Sequence, residues 1–213
     1  MKTIQQFIDR NKDTYIKHAL ADKNLIEKYR NMYQGNSYFP EELLWIWEKM
    51  GFGIYENGFL QMVNPDEYEF IFEYVDKLLE PTIVWGITAL GDLLVWEGNE
   101  NWTIAPDEGD RCSIINVRRC NDNVIGDMEG TLNVFIADDG DDFFLREKDM
   151  FDAKIYLDNK DKLPKLNYGE CYGYVPALAL GGSKSIRNLK VVDAKAYIHL
   201  IGQAVGKIID YGE

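Results

Sequence analysis

Hydrophobic residues recur with helical spacing in several parts of the chain. The N-terminal stretch IQQFIDRNKDTYIKHAL places four apolar residues near one face of a helix, namely Ile4, Phe7, Ile8 and Tyr15. The stretch FPEELLWIWEKMG gives a stronger signal, because Pro40 suits a first helical turn and Gly51 suits a helix end, around an apolar stripe of Leu43, Leu44 and Trp47. We therefore predict a helix over about residues 40–50.

Two further helices are predicted. Asn64 and Pro65 follow the strand-like run GFLQMV and favour a helix start, which predicts a helix over residues 65–79. Near the end of the chain, VDAKAYIHLIGQAVGKII carries an apolar stripe behind a capping Asp193. This pattern predicts a last helix over residues 193–209.

Strand signals concentrate between residues 59 and 117. Runs rich in β-branched and aromatic residues occur in GFLQMV, TIVWGITAL, DLLVWEG, NWTIAP and RCSIINVRR. Gly91 and Asp92 supply a tight connection between the second and third of these runs, as in an antiparallel meander. The predicted fold class is α+β, with a twisted, largely antiparallel sheet flanked by helices in a single compact body.

The segment GECYGYVPALALGGS, residues 169–183, combines four glycines and a proline with an apolar run. Pro176 marks an irregular or edge strand, and glycines serve turns or close packing, here at Gly173, Gly181 and Gly182. We interpret the segment as structural: a strand that ends in a tight turn and leads toward the last helix. Val175, Leu178 and Leu180 are expected to contribute to the core.

Composition places the protein among cytoplasmic globular proteins. The 213 residues suffice for a full hydrophobic core, and no apolar run approaches the length of a membrane span. The N-terminus becomes charged within ten residues, unlike a secretory signal. Three cysteines without CxxC spacing fit free thiols in a reducing compartment.

The formal net charge of −13 works against nucleic acid or an anionic membrane as a direct partner. It is compatible with a basic partner, although acidic composition that only maintains solubility is the more common reason for such a charge. Charge alone leaves both interpretations open.

The sequence contains few residue patterns that indicate a catalytic, metal-binding or phosphate-binding site. It contains no HExxH and no Cys/His cluster, and GGSKS at residues 181–185 lacks the spacing of a phosphate-binding loop. A calcium loop starting at Asp138 would place Asp149 where Glu is usual, and Phe143 and Phe144 break its interior pattern, so we interpret DDGDD as a solvated acidic turn. His18, expected in an N-terminal helix, and His199 are interpreted as surface or packing residues. We predict no cofactor and no catalytic or metal-binding residue.

Three segments occur along the chain in the following order: PEELLWIWEKMGFGIYENGFLQMVNPDEY, TALGDLLVWE and GECYGYVPALALGGSKSIRNLKVVDAKAYIHL. Together they resemble the immunity proteins of bacterial type VI secretion DNase effectors, which join an N-terminal GAD-like domain to a C-terminal immunity domain. The resemblance implies domains at residues 1–110 and 111–213. The chain departs from the family pattern at Leu90, where Phe is usual, and has no placed counterpart over residues 118–150.

The resemblance implies a cytoplasmic antitoxin rather than an enzyme. Such a protein would bind and neutralise a cognate secreted nuclease, whose surface must be basic to attract DNA and so would complement an acidic inhibitor. Two other classes remain: an acidic interaction or regulatory module without a toxin partner, and an enzyme using Asp92, Glu97 and Asp107, which is disfavoured because no nucleophile with a base partner is visible.

Acidic turns are the expected contacts with the partner. The first candidates form the densest acidic turn, in the stretch without a family counterpart: Asp138, Asp139, Asp141 and Asp142. The second set follows Trp102 and comprises Asp107, Glu108 and Asp110. The alternative is that each set forms only a solvated acidic loop without a binding role.

Overall fold

Helices and strands alternate along the chain in a computed structural model that describes residues 2–32, 39–77, 79–98, 110–136 and 151–212. The helices are α1 (Lys2–Asn11), α2 (Lys23–Arg30), α3 (Glu41–Lys49), α4 (Met128–Ile136), α5 (Lys154–Leu157) and α6 (Ala194–Val205). The strands are β1 (Ile16–Ala19), β2 (Phe52–Tyr55), β3 (Leu60–Met62), β4 (Thr82–Thr88), β5 (Leu93–Glu97), β6 (Arg111–Asn116), β7 (Asn121–Gly126), β8 (Glu170–Tyr174) and β9 (Leu189–Asp193).

Seven strands form one open antiparallel sheet in the order β1-β2-β3-β4-β5-β6-β7. Each strand pairs with its neighbour in sequence, as in the β5 and β6 register that places Leu94 opposite Ile114. The predicted α+β class and largely antiparallel sheet are therefore confirmed. The sheet continues across residue 110, because β5 and β6 pair directly on either side of it.

Helices cover both faces of the sheet, which explains why β4 and β5 are buried along their whole length. Alternate residues of β5 serve the two faces: Leu94 and Trp96 pack with the helices α1 to α4, while Leu93 and Val95 pack with α6. No helix in the described part of the chain is long and apolar enough to cross a membrane.

The β8–β9 hairpin joins the sheet through backbone and amide contacts. The buried side chain of Gln61 on β3 donates to the carbonyl oxygen of Glu170 at 2.7 Å and accepts from the amide of Gly169 at 2.8 Å. The amide of Tyr172 donates to the carbonyl of Ala89 at 2.7 Å. These bonds fix the start of β8 against the sheet and so position everything that follows it.

The helices predicted over residues 40–50 and 193–209 are confirmed as α3 and α6. The carboxylate of Asp193 accepts the amide of Ala196 at 2.8 Å, as an N-cap should. Helix α6 ends earlier than predicted because Gly206 adopts a positive φ of 87°.

The helix predicted over residues 65–79 is wrong. Two 3₁₀ turns, Pro65–Glu67 and Glu69–Glu73, occupy its start. Tyr68, Ile71 and Val75 are buried at spacings of three and four, so the apolar period exists. The amides of Tyr68, Ile71 and Tyr74, however, bond to carbonyls three residues back, as in a 3₁₀ helix.

The N-terminal helix is shorter than its apolar pattern. Asn11 ends α1, since its side chain bonds to the carbonyl of Phe7 and to the carboxylate of Glu56. The chain then enters β1, so His18 lies on a strand and not on a helix. Strands β1, β2, β7 and β9 were not predicted, and the strand predicted at NWTIAP lies outside the described residues.

Candidate functional site

An apolar groove lies between the chain that leaves β8 and helix α6, with a volume of about 300 Å³. Three large apolar side chains on it are well exposed: Val175 at 51%, Leu180 at 45% and Leu200 at 53%. Clustered exposed apolar side chains mark binding surfaces. We call this feature the hairpin groove, and its lining residues are Tyr174, Val175, Pro176, Ala177, Leu180, Val192, Asp193, Ala196, Tyr197 and Leu200.

The expected core positions of Val175 and Leu180 are wrong. The β8–β9 ladder ends where the amide of Val175 bonds to the carbonyl of Asn188 at 2.8 Å, because Pro176 has no amide hydrogen to continue it. The chain then leaves the hairpin and forms a 3₁₀ turn at Leu178–Leu180. In this turn Leu178 packs partly against the core while Leu180 faces solvent.

Glycines shape the groove wall. A Cβ on Gly182 would lie 2.0 Å from the carbonyl oxygen of Pro176, so only glycine fits there. Gly181 adopts a left-handed φ of 85° and faces open space. Gly173 lies against Val192 and Tyr197, with room for no side chain: a Cβ would lie within 2.8 Å and 2.9 Å of them.

Two tyrosines form the floor of the groove. The hydroxyl of Tyr197 accepts from the amide of Tyr174 at 3.0 Å and donates to the carbonyl of the same residue at 3.2 Å. Burial raises the pKa of Tyr197 to about 12. The end of β8 is therefore held to α6 by a neutral hydroxyl group.

A buried ion pair lies beside this hairpin. Arg118, in the β6–β7 turn, and Asp92, in the β4–β5 turn, both have fully buried side chains. The Nε atom of Arg118 lies 3.1 Å from each carboxylate oxygen of Asp92, and its Nη2 also donates to the carbonyl of Phe151 at 3.1 Å. Burial disfavours the guanidinium charge, but the adjacent Asp92 carboxylate outweighs this effect and raises the pKa of Arg118.

Asp152 extends the ion pair to the groove wall. It adopts a positive φ of 50°, which is uncommon for a residue other than glycine. Its carboxylate accepts from Nη1 of Arg118 at 3.4 Å, from Nε of Arg119 at 3.0 Å, and from the ammonium of Lys184. Lys184 follows the glycine turn, so the wall of the groove is tied to the end of the sheet.

The acidic residues predicted as partner contacts are placed as follows. Six of them lie outside the described residues: Asp107, Glu108, Asp138, Asp139, Asp141 and Asp142. Asp110 is described, half-buried, and accepts from the indole nitrogen of Trp96 at 2.8 Å.

Asp110 and Phe151, which border the two acidic stretches in sequence, lie toward opposite ends of the sheet. Residues 99–109 join β5 to β6 beside Asp110, whereas residues 137–150 join α4 to Phe151, whose carbonyl contacts Arg118 in the β6–β7 turn. By sequence these stretches carry net charges of −3 and −4. More than half of the formal charge of −13 is therefore concentrated in two connections.

The carboxylates considered for an enzyme do not converge. Asp92 and Glu97 flank β5 at opposite ends, about 17 Å apart at strand spacing. Glu97 accepts from Arg111 at 2.9 Å and Ser113 at 3.0 Å, and Asp107 lies outside the described residues. Across the described ranges, no group of three or more acidic, histidine or cysteine residues could hold a metal ion.

Both histidines pack against aromatic rings. His18 stacks on Tyr168 at 4.0 Å between ring centroids, and His199 stacks on Phe70 at 4.3 Å. His199 also shares a hydrogen bond of 3.0 Å with the hydroxyl of Tyr74. These contacts account for both side chains without a ligand.

The groove residues were missed because the motif was interpreted as structural. One signal was available in the sequence: Leu200 lies out of phase with the apolar stripe of α6, which contains Tyr197, Ile198 and Ile201. A large apolar residue off the buried stripe of a helix indicates a second contact surface. No comparable pattern marked Arg118 as a buried residue.

Comparison with known proteins gives two family matches. A model of the GAD-like domain matches residues 2–106, and a model of the C-terminal region of the T6SS immunity protein Tdi1 matches residues 135–205. All residues that line the hairpin groove lie within the second match. The same match includes residues 135–150, so the expectation that residues 118–150 have no family counterpart is wrong for that part. No curated protein sequence matches this chain.

The fold is also found in a crystal structure of Atu4351 from Agrobacterium tumefaciens. That protein is 24% identical, with a TM-score of 0.67 over 94% of this chain and 88% of the other. This similarity supports the fold, and the order of the two family matches supports the domain architecture. The chain therefore belongs to the type VI secretion immunity proteins that join an N-terminal GAD-like domain to a Tdi1-type C-terminal domain.

Proposed function

We propose that this protein neutralises a cognate toxin of a type VI secretion system by binding it directly through the hairpin groove. Family membership gives an immunity role and implies a protein partner, the cognate effector. We further propose that the effector is a nuclease with a basic surface and that binding takes place in the cytoplasm of the producing cell.

The observation that carries this proposal is the exposure of Val175, Leu180 and Leu200 within the Tdi1-type segment. Tight interfaces depend on a few buried apolar anchors surrounded by weaker contacts. A groove of about 300 Å³ can accept one or two large side chains from a partner. Burying these three residues against a partner would remove a solvent-exposed apolar patch.

The acidic stretches support the proposal in a different way. A nuclease must attract polyanionic DNA, so an inhibitor with a net charge of −13 would meet it with fast, salt-dependent association. We propose that Asp138, Asp139, Asp141 and Asp142 act mainly on the rate of encounter. Asp107, Glu108 and Asp110 are the second set with this role.

The proposed binding site is tested by measuring affinity for the product of the adjacent toxin gene, which is used in a catalytically inactive form. We expect the double variant Val175→Asp/Leu200→Asp to bind roughly 100-fold more weakly, since it places two carboxylates in an apolar contact. The matched control is Val124→Asp, because Val124 is 55% exposed on the outer strand β7. Its affinity should stay within about threefold of the wild type.

Association kinetics test the acidic stretch. Asp139→Lys/Asp141→Lys should slow association and flatten its dependence on salt with little change in Tm, because exposed acids contribute little to folding. Asp13→Lys/Glu27→Lys changes the net charge equally at exposed N-terminal sites and serves as the control. Equal rates for the two variants would exclude this stretch. Absence of any binding by the wild type would instead favour an interaction module without a toxin partner.

A further inference from the structure

The surroundings of the hairpin groove are basic, in contrast to the chain as a whole. Between Gly182 and Ala196 the sequence carries four basic residues, Lys184, Arg187, Lys190 and Lys195, against the single acid Asp193. Asp193 lines the groove, but its carboxylate is occupied by the N-terminus of α6. The segment from Gly182 to Ala196 is therefore opposite in sign to the net charge of −13, although Lys195 pairs with Glu67 at 2.6 Å and Lys184 pairs with Asp152.

Lys190 stands at the edge of the groove itself. Strand register places it opposite Gly173, and Val192, two residues further along β9, lines the groove. Residues two apart on a strand share a face, so Lys190 and Val192 lie on the same side of the hairpin. Gly173 has no side chain that could cover Lys190, which is exposed.

Two of the basic side chains lack an acidic partner. Lys190 and Arg187 are exposed and form no ion pair with any carboxylate in the part of the chain that the structure covers. Lys184 and Arg119 share the single carboxylate of Asp152, which Arg118 also contacts. Carboxylates supplied by a partner would therefore find the unpaired cation of Lys190 at the rim of the groove, with the unpaired Arg187 three residues earlier in the chain.

We infer that the toxin segment that occupies the hairpin groove is apolar and flanked by carboxylates. This inference rests on the proposed function and specifies its partner. The acidic stretches would attract the basic body of the toxin from a distance, while the groove holds an acidic and apolar segment of the same toxin. At long range, acidic residues of this protein would attract basic residues of the toxin. In the close contact, basic residues of this protein would face carboxylates of the toxin.

Reversing the charges of Arg187 and Lys190 tests whether these residues face carboxylates of the toxin. Arg187→Glu/Lys190→Glu should raise the dissociation rate from the inactive toxin by about tenfold, because like charges face each other across the rim. Lys17→Glu/Lys49→Glu changes the net charge by the same amount at exposed sites on β1 and α3 and is the control, with an expected change of less than about threefold. Unchanged or tighter binding by the rim variant would overturn the inference.

Cross-linking identifies the segment directly. Leu200, replaced by p-benzoylphenylalanine, should cross-link to a toxin peptide whose apolar residues are flanked by Asp or Glu. A cross-linked peptide flanked by Lys or Arg would overturn the inference while leaving the groove as the binding site. The double variant Val175→Asp/Leu200→Asp distinguishes this outcome from failure of the proposed function. If that variant binds the toxin as tightly as the wild type, the toxin does not use the groove and the proposed function is contradicted.

Discussion

At the scale of single residues, the ion pair of Asp92 and Arg118 is a polar contact in which both side chains are fully buried. Both side chains are removed from water, and a charge left alone in such a place is far more costly than an exposed one. Sequence reasoning placed Asp92 in a tight turn, where it lies, but assigned no partner to it. The pair also connects two turns of the sheet to Phe151 and so to the C-terminal segment.

Replacing Asp92 with Asn should lower the free energy of unfolding by about 3–5 kcal/mol, because the Arg118 charge stays buried with only partial compensation from Asp152. Urea denaturation measures the change. Lys184→Met removes an exposed partner of the same network and should cost no more than about 1 kcal/mol. If Asp92→Asn also lowered the free energy of unfolding by no more than about 1 kcal/mol, Asp152 alone would be able to compensate the charge of Arg118.

At the scale of elements, the connection between β8 and β9 combines strict backbone requirements with an exposed apolar surface. Gly182 allows the chain to turn back on Pro176, and its amide bonds to the carbonyl of Ala177 at 2.9 Å. Lys184 then anchors the far side of the connection to Asp152. The motif is structural in its glycines and available for binding in its leucine and valine side chains.

Gly182→Ala should therefore deform the groove wall, whereas Gly181→Ala should not. We expect Gly182→Ala to cost at least about 2 kcal/mol of stability, because a Cβ would collide with backbone. Gly181→Ala carries only the cost of a left-handed alanine, about 1–2 kcal/mol, since its Cβ would meet open space. Thermal unfolding compares the two, and a larger loss for Gly181→Ala would contradict the loop geometry.

At the scale of the whole molecule, the predicted domains at residues 1–110 and 111–213 share one sheet and one ion-pair network. Strand β6 lies beyond residue 110 yet pairs with β5, and α6 packs on the face of the sheet formed by Leu93, Val95 and Ile115. We propose that the GAD-like domain and the C-terminal domain fold as a single cooperative unit, with residue 110 as a boundary in sequence only.

Denaturation with two local probes tests this cooperativity. All five tryptophans lie within residues 1–110 and report on the GAD-like domain, while hydrogen exchange of α6 amides reports on the C-terminal domain. Both probes should give the same free energy of unfolding, because each segment loses buried apolar surface when the other unfolds. A value for α6 well below that from tryptophan fluorescence would indicate independent domains.

Short-range pattern by itself determined α3, α6 and the strands β3 to β6, because helix caps and apolar periods of two and 3.6 are properties of neighbouring residues. Only the tertiary structure decided that the 65–79 segment takes 3₁₀ turns, that β9 pairs with β8, and that Arg118 is buried. It likewise decided that Val175, Leu180 and Leu200 form an exposed groove. Whether an apolar residue is covered depends on elements far away in sequence, and local periodicity carries no information about them.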